Sequence, residues 1–377
     1  MIQICRDLNG LMIYNCSQNL PGLISLIDAQ KNLKRLSLFK YIKKEYCKEL
    51  SNAIKRKYNT LNDLCLHSLN IISPSFLTSL INLKNLSIYN YDNDNIRGDI
   101  KEFQHYLMIS EFSELEYIDF YGLSWFEELA ILIEKTKGNI LQVIINSINK
   151  NAENTGLLIK AISNNCPKIN RLYTHIEPKD FIHIKSLLLN CRNLSRIEFD
   201  SLNILVNENY NFGDELLNIL TEFSPKSLIY ISLSGDWKFS TDSFELFFES
   251  CRIRNINLLY FGITHESYIT RDHMLIIRRY INEALENNGA VLSMLMTTEN
   301  IPLVMIKTAL AIRVKNQLQV YCIHRDSSKQ FNKWTFLKVC ELMMIRVQVS
   351  MCFPFFHVAD LNNEKSQARY GLRLLPP

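Results

Sequence analysis

Short stretches along the chain share one spacing of apolar residues, apolar-x-x-apolar-x-apolar. Three copies are nearly identical, KNLKRLSLF (31–39), INLKNLSIY (81–89) and RNLSRIEFD (192–200), and each has Asn before its first Leu. A half-buried strand requires alternation of apolar and polar residues, whereas a helix requires steps of three and four. Because the last residues of each copy alternate, each copy predicts a short strand.

This stretch recurs along most of the chain. Looser copies fall at similar intervals, and the first apolar residue of each copy is at position 8, 33, 61, 83, 115, 140, 169, 194, 228 or 256. A supersecondary unit that recurs every 20 to 50 residues or so indicates a repeat architecture, in which each unit covers the apolar side of its neighbour. The sequence therefore predicts stacked units that each begin with a strand.

The residues between copies carry helical periodicity. Three clear segments are SWFEELAILIEKT (124–136), DFIHIKSLLLNC (180–191) and TDSFELFFESC (241–251). Their apolar residues at helical steps are Trp125, Leu129, Leu132 and Ile133; Phe181, Ile184, Leu187 and Leu188; and Phe244, Phe247, Phe248 and Cys251. Ser124 and Glu127 have the spacing of a capping box, and Asp180 and Asp242 are predicted helix caps.

Alternating strands and helices predict an α/β fold, specifically a leucine-rich repeat solenoid. In this horseshoe, parallel strands line the concave face and helices form the convex face. We expect about ten repeats over residues 1–284 and a C-terminal tail over 285–377 that is either a small α+β unit or poorly ordered. In the tail, residues 310–314 and 318–324 predict a β-hairpin, residues 331–340 a helix and residues 345–349 a strand.

Composition narrows the class of protein without identifying it. The chain has 377 residues, a formal net charge of +4 and no apolar run of membrane-spanning length, so we expect neither a nucleic-acid nor a membrane partner. Ten cysteines are spread along the chain, and Cys166 and Cys191 each lie three residues before a strand copy. We interpret them as reduced core thiols of a cytoplasmic or nuclear protein.

An Asn-Cys pair followed by Leu-x-x-Ile-x-Phe resembles the cysteine-containing leucine-rich repeats of F-box proteins. The resemblance is closer to the large F-box/leucine-rich-repeat families of arbuscular mycorrhizal fungi. It covers roughly residues 1–283 and is carried by residues 21–38, 157–176, 213–251 and 258–283. Members of that family resemble substrate receptors of SCF-type, cullin-based ubiquitin ligases. The resemblance implies that an F-box would bind the Skp adaptor and that the repeats would bind the protein to be ubiquitylated.

An F-box is not visible in this sequence. The one segment that opens with Leu-Pro, NLPGLISLIDAQ (19–30), lies between the first two strand copies and leaves no room for a separate helical module. A truncated gene model and a shortened paralogue would both explain this departure. The alternative function is therefore a stand-alone repeat module or decoy with no role in ubiquitin ligation, and a nonfunctional fragment is a third possibility.

Motifs associated with catalysis or metals are incomplete. His324, Arg325 and Asp326 spell the catalytic-loop tripeptide of protein kinases, but the next Asn is six residues after the Asp instead of five. A zinc site from the cysteines and histidines of the tail would lack a C-x-x-C or H-x-x-x-H pair; these residues are Cys322, His324, Cys340, Cys352 and His357. We predict no catalytic residue, metal or cofactor, and we interpret His175 and His183 as surface or rim residues.

The predicted concave face carries the functional hypothesis. Side chains of a strand alternate, so the residues around the last two apolar positions of each copy point away from the core. The predicted partner-binding residues are Tyr89, Tyr117, Asp119, Tyr121, Arg171, Tyr173, Arg196 and Tyr230. The first copies add Phe39, Cys65 and His67, and the last adds Leu258, Tyr260 and Gly262. Tyr and Arg contribute much of the binding energy at protein interfaces, although Tyr is also common in strands that bind no partner.

Overall fold

The computed structural model describes residues 7–14, 21–39, 48–69, 72–91, 97–148, 153–201, 212–235, 237–256, 258, 260–264, 269–288, 293–297, 308–314 and 317–323. The chain divides into two compact regions, residues 1–324 and 325–377, and all the described residues belong to the first region. The predicted helix at 331–340 and strand at 345–349 lie outside the described residues. So do His324, Arg325, Asp326, Cys340, Cys352 and His357.

Strands and helices alternate through the described part of residues 1–324. The strands are β1 (Gly10–Tyr14), β2 (Arg35–Phe39), β3 (Asp63–Leu66), β4 (Asn85–Tyr89), β5 (Tyr117–Tyr121), β6 (Gln142–Asn146), β7 (Arg171–Ile176), β8 (Arg196–Ser201), β9 (Tyr230–Ser234), β10 (Tyr260–Thr264) and β11 (Ser293–Thr297). The helices are α1 (Pro21–Ala29), α2 (Lys48–Lys55), α3 (Arg97–Ile109), α4 (Phe126–Glu134), α5 (Thr155–Asn165), α6 (Phe181–Asn190), α7 (Phe212–Phe223), α8 (Thr241–Ile253) and α9 (Arg271–Asn288). Short 3₁₀ helices cover Pro74–Ser79 and Pro178–Asp180.

All eleven of these strands form one parallel sheet in chain order. Each connection between neighbours contains a helix, or the 3₁₀ helix Pro74–Ser79 between β3 and β4. This confirms the predicted α/β class and the strand that was expected in each copy. The predicted boundary at residue 284 falls inside α9, and β11 adds a further parallel strand beyond it.

The core lies between the sheet and the helices. The second and fourth residues of β2 to β10 are buried, as in β2, where Leu36 and Leu38 are enclosed. The apolar residues at helical steps in the three periodic segments between 124 and 251 are also buried, which confirms the predicted core-facing sides of these helices. Ile27 of α1 belongs to the same core, so the segment with the Leu-Pro opening supplies the helix between β1 and β2. Each unit is stable because its neighbours cover its apolar side.

Cys166 and Cys191 occupy the equivalent place in two successive units. Each residue is the C-cap of a helix, α5 and α6 respectively, and each thiol is free and buried. The Sγ of Cys191 donates a hydrogen bond to the carbonyl oxygen of Cys166 at 3.5 Å. Burial raises the pKa of Cys191 to about 12, so the thiol stays protonated at neutral pH. The interpretation of these cysteines as small core residues that close a helix is confirmed.

Two helix-capping predictions are wrong in detail. The capping box at Ser124 and Glu127 does not form, because α4 begins at Phe126 and the Ser124 hydroxyl contacts that of Ser147. The cap of α8 is Ser240, whose Oγ accepts the backbone N–H of Ser243 at 3.2 Å, so Asp242 lies in the first turn.

Asp180 is a helix cap, as predicted, although its side chain makes no capping hydrogen bond to α6. It is the N-cap residue of α6, and its carboxylate accepts the backbone N–H of Glu177 at 3.1 Å in the capping box of the 3₁₀ helix Pro178–Asp180. The same carboxylate accepts the hydroxyl of Thr155 from the previous unit, a contact that local spacing does not reveal.

The β-hairpin predicted in the C-terminal tail, from residues 310–314 and 318–324, is present. β12 (Thr308–Val314) pairs with β13 (Gln317–Ile323), and Val314 lies opposite Gln317 at the turn. Cys322, one of the residues of the incomplete zinc motif, lies in β13 opposite Ala309. Within the described ranges, every helix is too short or too polar to cross a bilayer.

We predict that Gly122→Ala destabilises the sheet at the end of β5. Gly122 has φ of +75°, and an added Cβ would lie 2.0 Å from the carbonyl oxygen of Asn90. Residual strain at such a position is of order 1–3 kcal/mol, so the urea midpoint should fall. Gly22→Ala is the matched control, because a Cβ at this exposed helical position meets nothing within 4 Å. A Gly122→Ala midpoint equal to that of Gly22→Ala would contradict this account.

Candidate binding surface

The first, third and fifth residues of β1 to β9, together with Tyr260 of β10, form the side of the sheet opposite the core, which we call the strand face; His175 of β7 is the buried member of this set. In β5, for example, Tyr117, Asp119 and Tyr121 belong to the strand face, whereas Ile118 and Phe120 are buried. Successive strands pair with equivalent residues opposite one another, so Tyr117 lies between Asn85 of β4 and Gln142 of β6. The strand face is therefore continuous across neighbouring units.

All eight predicted partner-binding residues lie on the strand face. Tyr117, Arg171, Arg196 and Tyr230 are first residues of their strands, Asp119 and Tyr173 are third residues, and Tyr89 and Tyr121 are fifth residues. Tyr117 is exposed, and the other seven side chains are partly buried by their neighbours. The outward orientation that was predicted from strand alternation is thus confirmed for this set.

Six aromatic side chains stack in a row at the carboxyl ends of β1 to β5, and we call this row the aromatic ladder. Its members, in order, are Tyr14, Phe39, His67, Tyr89, Tyr91 and Tyr121. The ring centroids of Tyr14 and Phe39 are 4.5 Å apart, and those of Phe39 and His67 are 3.7 Å apart, with interplanar angles of 17° in both pairs. The ladder is one connected aromatic surface.

Sequence reasoning found part of this ladder. Tyr89 and Tyr121 were predicted site residues, and Phe39 and His67 were placed on the same face, but Tyr14 and Tyr91 were missed. The recurrence of an aromatic residue at the fifth strand position, as at Tyr14, is a signal that could have identified it. Tyr91 lies two residues beyond β4, so strand periodicity gives no information about it.

Cys65 and His67 come together on the strand face but do not form a nucleophilic pair. The Sγ of Cys65 and the Nε2 of His67 are 3.2 Å apart. Burial lowers the pKa of His67 to about 4, and burial together with the charges of Asp63 and Asp119 raises the pKa of Cys65 to about 12. Both groups are therefore neutral near pH 7, whereas a reactive cysteine requires a thiolate.

Two carboxylates lie on the strand face between β3 and β5, Asp119 beside the aromatic ladder and Asp63 at the start of β3. The hydroxyl of Tyr89 donates to Oδ2 of Asp119 at 2.5 Å, and the Nδ2 of Asn85 donates to Oδ2 of Asp63 at 3.1 Å. Burial raises the pKa of Asp119 above its usual value, although the hydrogen bond from Tyr89 acts in the opposite direction. This part of the strand face thus combines apolar rings with hydrogen-bond acceptors.

Arginine and tyrosine side chains cover the strand face from β7 to β10. Oε1 of Glu198 accepts from Nη2 of Arg171 at 3.0 Å and from Nε of Arg196 at 2.8 Å. The guanidinium carbon of Arg196 lies 3.8 Å from the centre of the Tyr230 ring, and that ring stacks on Tyr260 at 4.0 Å. These contacts hold both arginines in fixed positions, which reduces the entropy that binding would cost.

Two sequence-based placements on this surface are corrected. His175 is buried and is not a rim residue, because the backbone N–H of Ser147 donates to its Nε2 at 3.0 Å. Leu258 was predicted on the strand face but is buried before β10 begins. Tyr260 pairs with Tyr230, so the last copy is displaced by two residues from the predicted alignment.

The described side chains offer no arrangement for catalysis or metal binding that we can identify. Among them, no group of three or more His, Cys, Asp or Glu residues could hold a metal ion. The strand face is an extended surface that combines aromatic rings, paired arginines and carboxylates. Its aromatic rings, fixed arginines and acceptors are the features that recur at protein interfaces.

We predict that His67 makes stability depend on pH between about 4 and 6.5. The folded protein keeps His67 neutral down to about pH 4, whereas the unfolded chain takes up a proton near pH 6.5. Its contribution to stability is therefore present above pH 6.5 and is lost as the pH falls towards 4. Urea midpoints of the wild type and His67→Gln should diverge in their pH slope within this window. Identical slopes would show that His67 titrates normally in the folded state.

Comparison with known proteins does not place this surface in a family. No protein-family model matches the chain, and a search of curated proteins finds no match. The binding surface is therefore defined by its own residues and their contacts.

Proposed function

We propose that the chain is a protein-binding leucine-rich repeat module. Its strand face would be the concave surface of a horseshoe, and this surface would bind the partner protein. The proposal is supported by the strand-helix units with constant parallel register, since repeat proteins of this kind use an extended face for binding. The module itself would carry out no chemistry.

The observation that carries this proposal is the aromatic content of the strand face. Tyr14 and Tyr91 are each more than half exposed, at 61% and 58%, and Tyr117 is 37% exposed. A contiguous exposed surface that is rich in large apolar rings marks an interaction site more often than a solvated surface. Tyrosine adds contact area at low conformational cost because it has few rotatable bonds.

The role that we propose for this binding is substrate recognition in an SCF-type ubiquitin ligase. The proposal rests on the resemblance to cysteine-containing repeats of F-box proteins, and the capping cysteines Cys166 and Cys191 belong to that pattern. The mechanism would be scaffolding, because a bound target is held at high effective concentration near the ligase. A stand-alone binding module or decoy is the alternative, and the two differ in whether a Skp adaptor associates.

We predict that Tyr117→Ala combined with Tyr121→Ala removes partner binding and leaves the fold intact. Truncation of an interface tyrosine costs about 2 kcal/mol or more at a hot spot, so the pair should weaken binding by a factor of several hundred. The tagged chain would be expressed in cells with a photoreactive benzoylphenylalanine at position 87, because Ser87 of β4 lies opposite Asp119, the β5 residue between the two tyrosines. Cross-linked partners would then be compared with and without the two substitutions.

The matched control combines Tyr58→Ala with Ile182→Ala. Both side chains are exposed, at 45% and 64%, and neither belongs to the strand face. Cross-links from position 87 should survive the control substitutions and disappear with the strand-face substitutions. Survival in both variants would overturn the proposed surface. A Skp adaptor that co-purifies with the chain would favour the ligase role, and its absence from a complex that retains the target would favour the stand-alone module.

A further inference from the structure

Charge is distributed unevenly along the strand face. Between β7 and β8 the charges are paired, because Arg171 and Arg196 share the one carboxylate of Glu198, and these three side chains together keep one positive charge. Between β3 and β5 the strand face carries Asp63 and Asp119, and neither carboxylate forms an ion pair within the described part of the chain. Asp119 contacts Tyr89 of the aromatic ladder, and Asp63 lies at the start of β3 on the same face.

Asp119 is the better placed of the two carboxylates. It is partly buried beside Tyr89, whose hydroxyl donates to one of its two oxygens. Arg171 acts on it electrostatically from two strands away without forming an ion pair. A partly buried carboxylate that receives one neutral hydrogen bond gains more from a cationic donor than a fully hydrated one does.

Asp63 and Asn85 extend the region of acceptors. Asp63 lies opposite Arg35 in the sheet, but the Arg35 side chain extends across Gly10, where its Nε is 3.5 Å from the position of an added Cβ. Asp63 instead accepts from Asn85, and Oδ1 of Asn85 is buried without a hydrogen-bond partner. The acceptors that the surface between β3 and β5 presents are therefore the carboxylates of Asp63 and Asp119, with Asn85 as a donor to Asp63.

We propose that the strand face from β1 to β5 binds a basic segment of the partner protein. A Lys or Arg side chain of that segment would contact Asp119 and Asp63, and its apolar residues would lie along the aromatic ladder. This inference rests on the proposed function and specifies which chemistry the partner presents. Nucleic acid and acidic peptides fit poorly, because their phosphates or carboxylates would meet the charges of Asp63 and Asp119.

The ladder also fixes the size of the segment. Five strands spaced at about 4.8 Å span about 19 Å across the sheet. An extended peptide rises by about 3.3 Å per residue, so about six residues cover this distance. A probe of nine residues is long enough to occupy the ladder and to place a basic residue against Asp119.

The test uses the full chain and three pools of fluorescent nine-residue peptides. One pool fixes Lys or Arg at alternate central positions, the second fixes Glu or Asp, and the third fixes norleucine. We expect the basic pool to bind at least about tenfold more tightly than the norleucine pool in fluorescence anisotropy, the scale of a charge-assisted hydrogen bond. Asp119→Asn, which preserves the shape and the contact with Tyr89, should remove that difference.

Asp242→Asn is the matched control, because Asp242 lies in the first turn of α8 and does not belong to the strand face. It should leave the preference for the basic pool unchanged. Equal binding of the three pools, preference for the acidic pool, or a basic preference that persists in Asp119→Asn would each overturn the proposal. So would tighter binding of a fluorescent oligothymidine, or self-association in sedimentation that Asp119→Asn abolishes.

Failure of this inference differs from failure of the proposed function. If cross-linking from position 87 depends on Tyr117 and Tyr121 while the pools do not discriminate, then the strand face binds a partner of other chemistry. If cross-linking from position 87 is unchanged when those tyrosines are substituted, the proposed surface itself is wrong.

Discussion

The parallel backbone register from β1 to β11 is the constraint on which the rest of the structure depends. Strands β2 to β9 each bury at least two residues against the helices and present up to three on the strand face, so a shift by one residue would exchange these sets. Constant register places equivalent residues of neighbouring units about 4.8 Å apart, which is close enough for side chains to stack. The aromatic ladder and the Arg196–Tyr230–Tyr260 stack both follow from this repetition. No single unit could form either of them.

Much of the fold could be predicted because the signals that specify it are local. The alternation in copies such as RLSLF and NLSIY identified the strands, and helical steps such as Phe244, Phe247 and Phe248 identified the buried faces of the helices. Because the stretch recurs at similar intervals, its looser copies could also be assigned as strands. The orientation of the candidate site residues followed in the same way, because one period determines which side of the sheet a residue occupies.

The remaining features depend on contacts between units, which spacing does not encode. Asp180 accepts from Thr155 of the previous unit in addition to capping its helix, and His175 accepts from Ser147 and is buried instead of lying at the surface. The connections between strands vary in length, and the predicted alignment of the last copy was wrong by two residues. Leu258, and not Ile256, is equivalent to Leu228. The proximity of Tyr91 to Tyr121 also required the structure, since Tyr91 lies beyond its strand.

Register is tested most directly by oxidative coupling of tyrosines. The rings of Tyr230 and Tyr260 are parallel within 4° and their centroids are 4.0 Å apart, although the residues belong to different units. Brief photo-oxidation of the folded chain should yield a dityrosine link between the two peptides that contain these residues, and the link should disappear in concentrated urea. Absence of this link in the folded chain, under conditions that couple other tyrosines, would contradict the register on which the strand face depends.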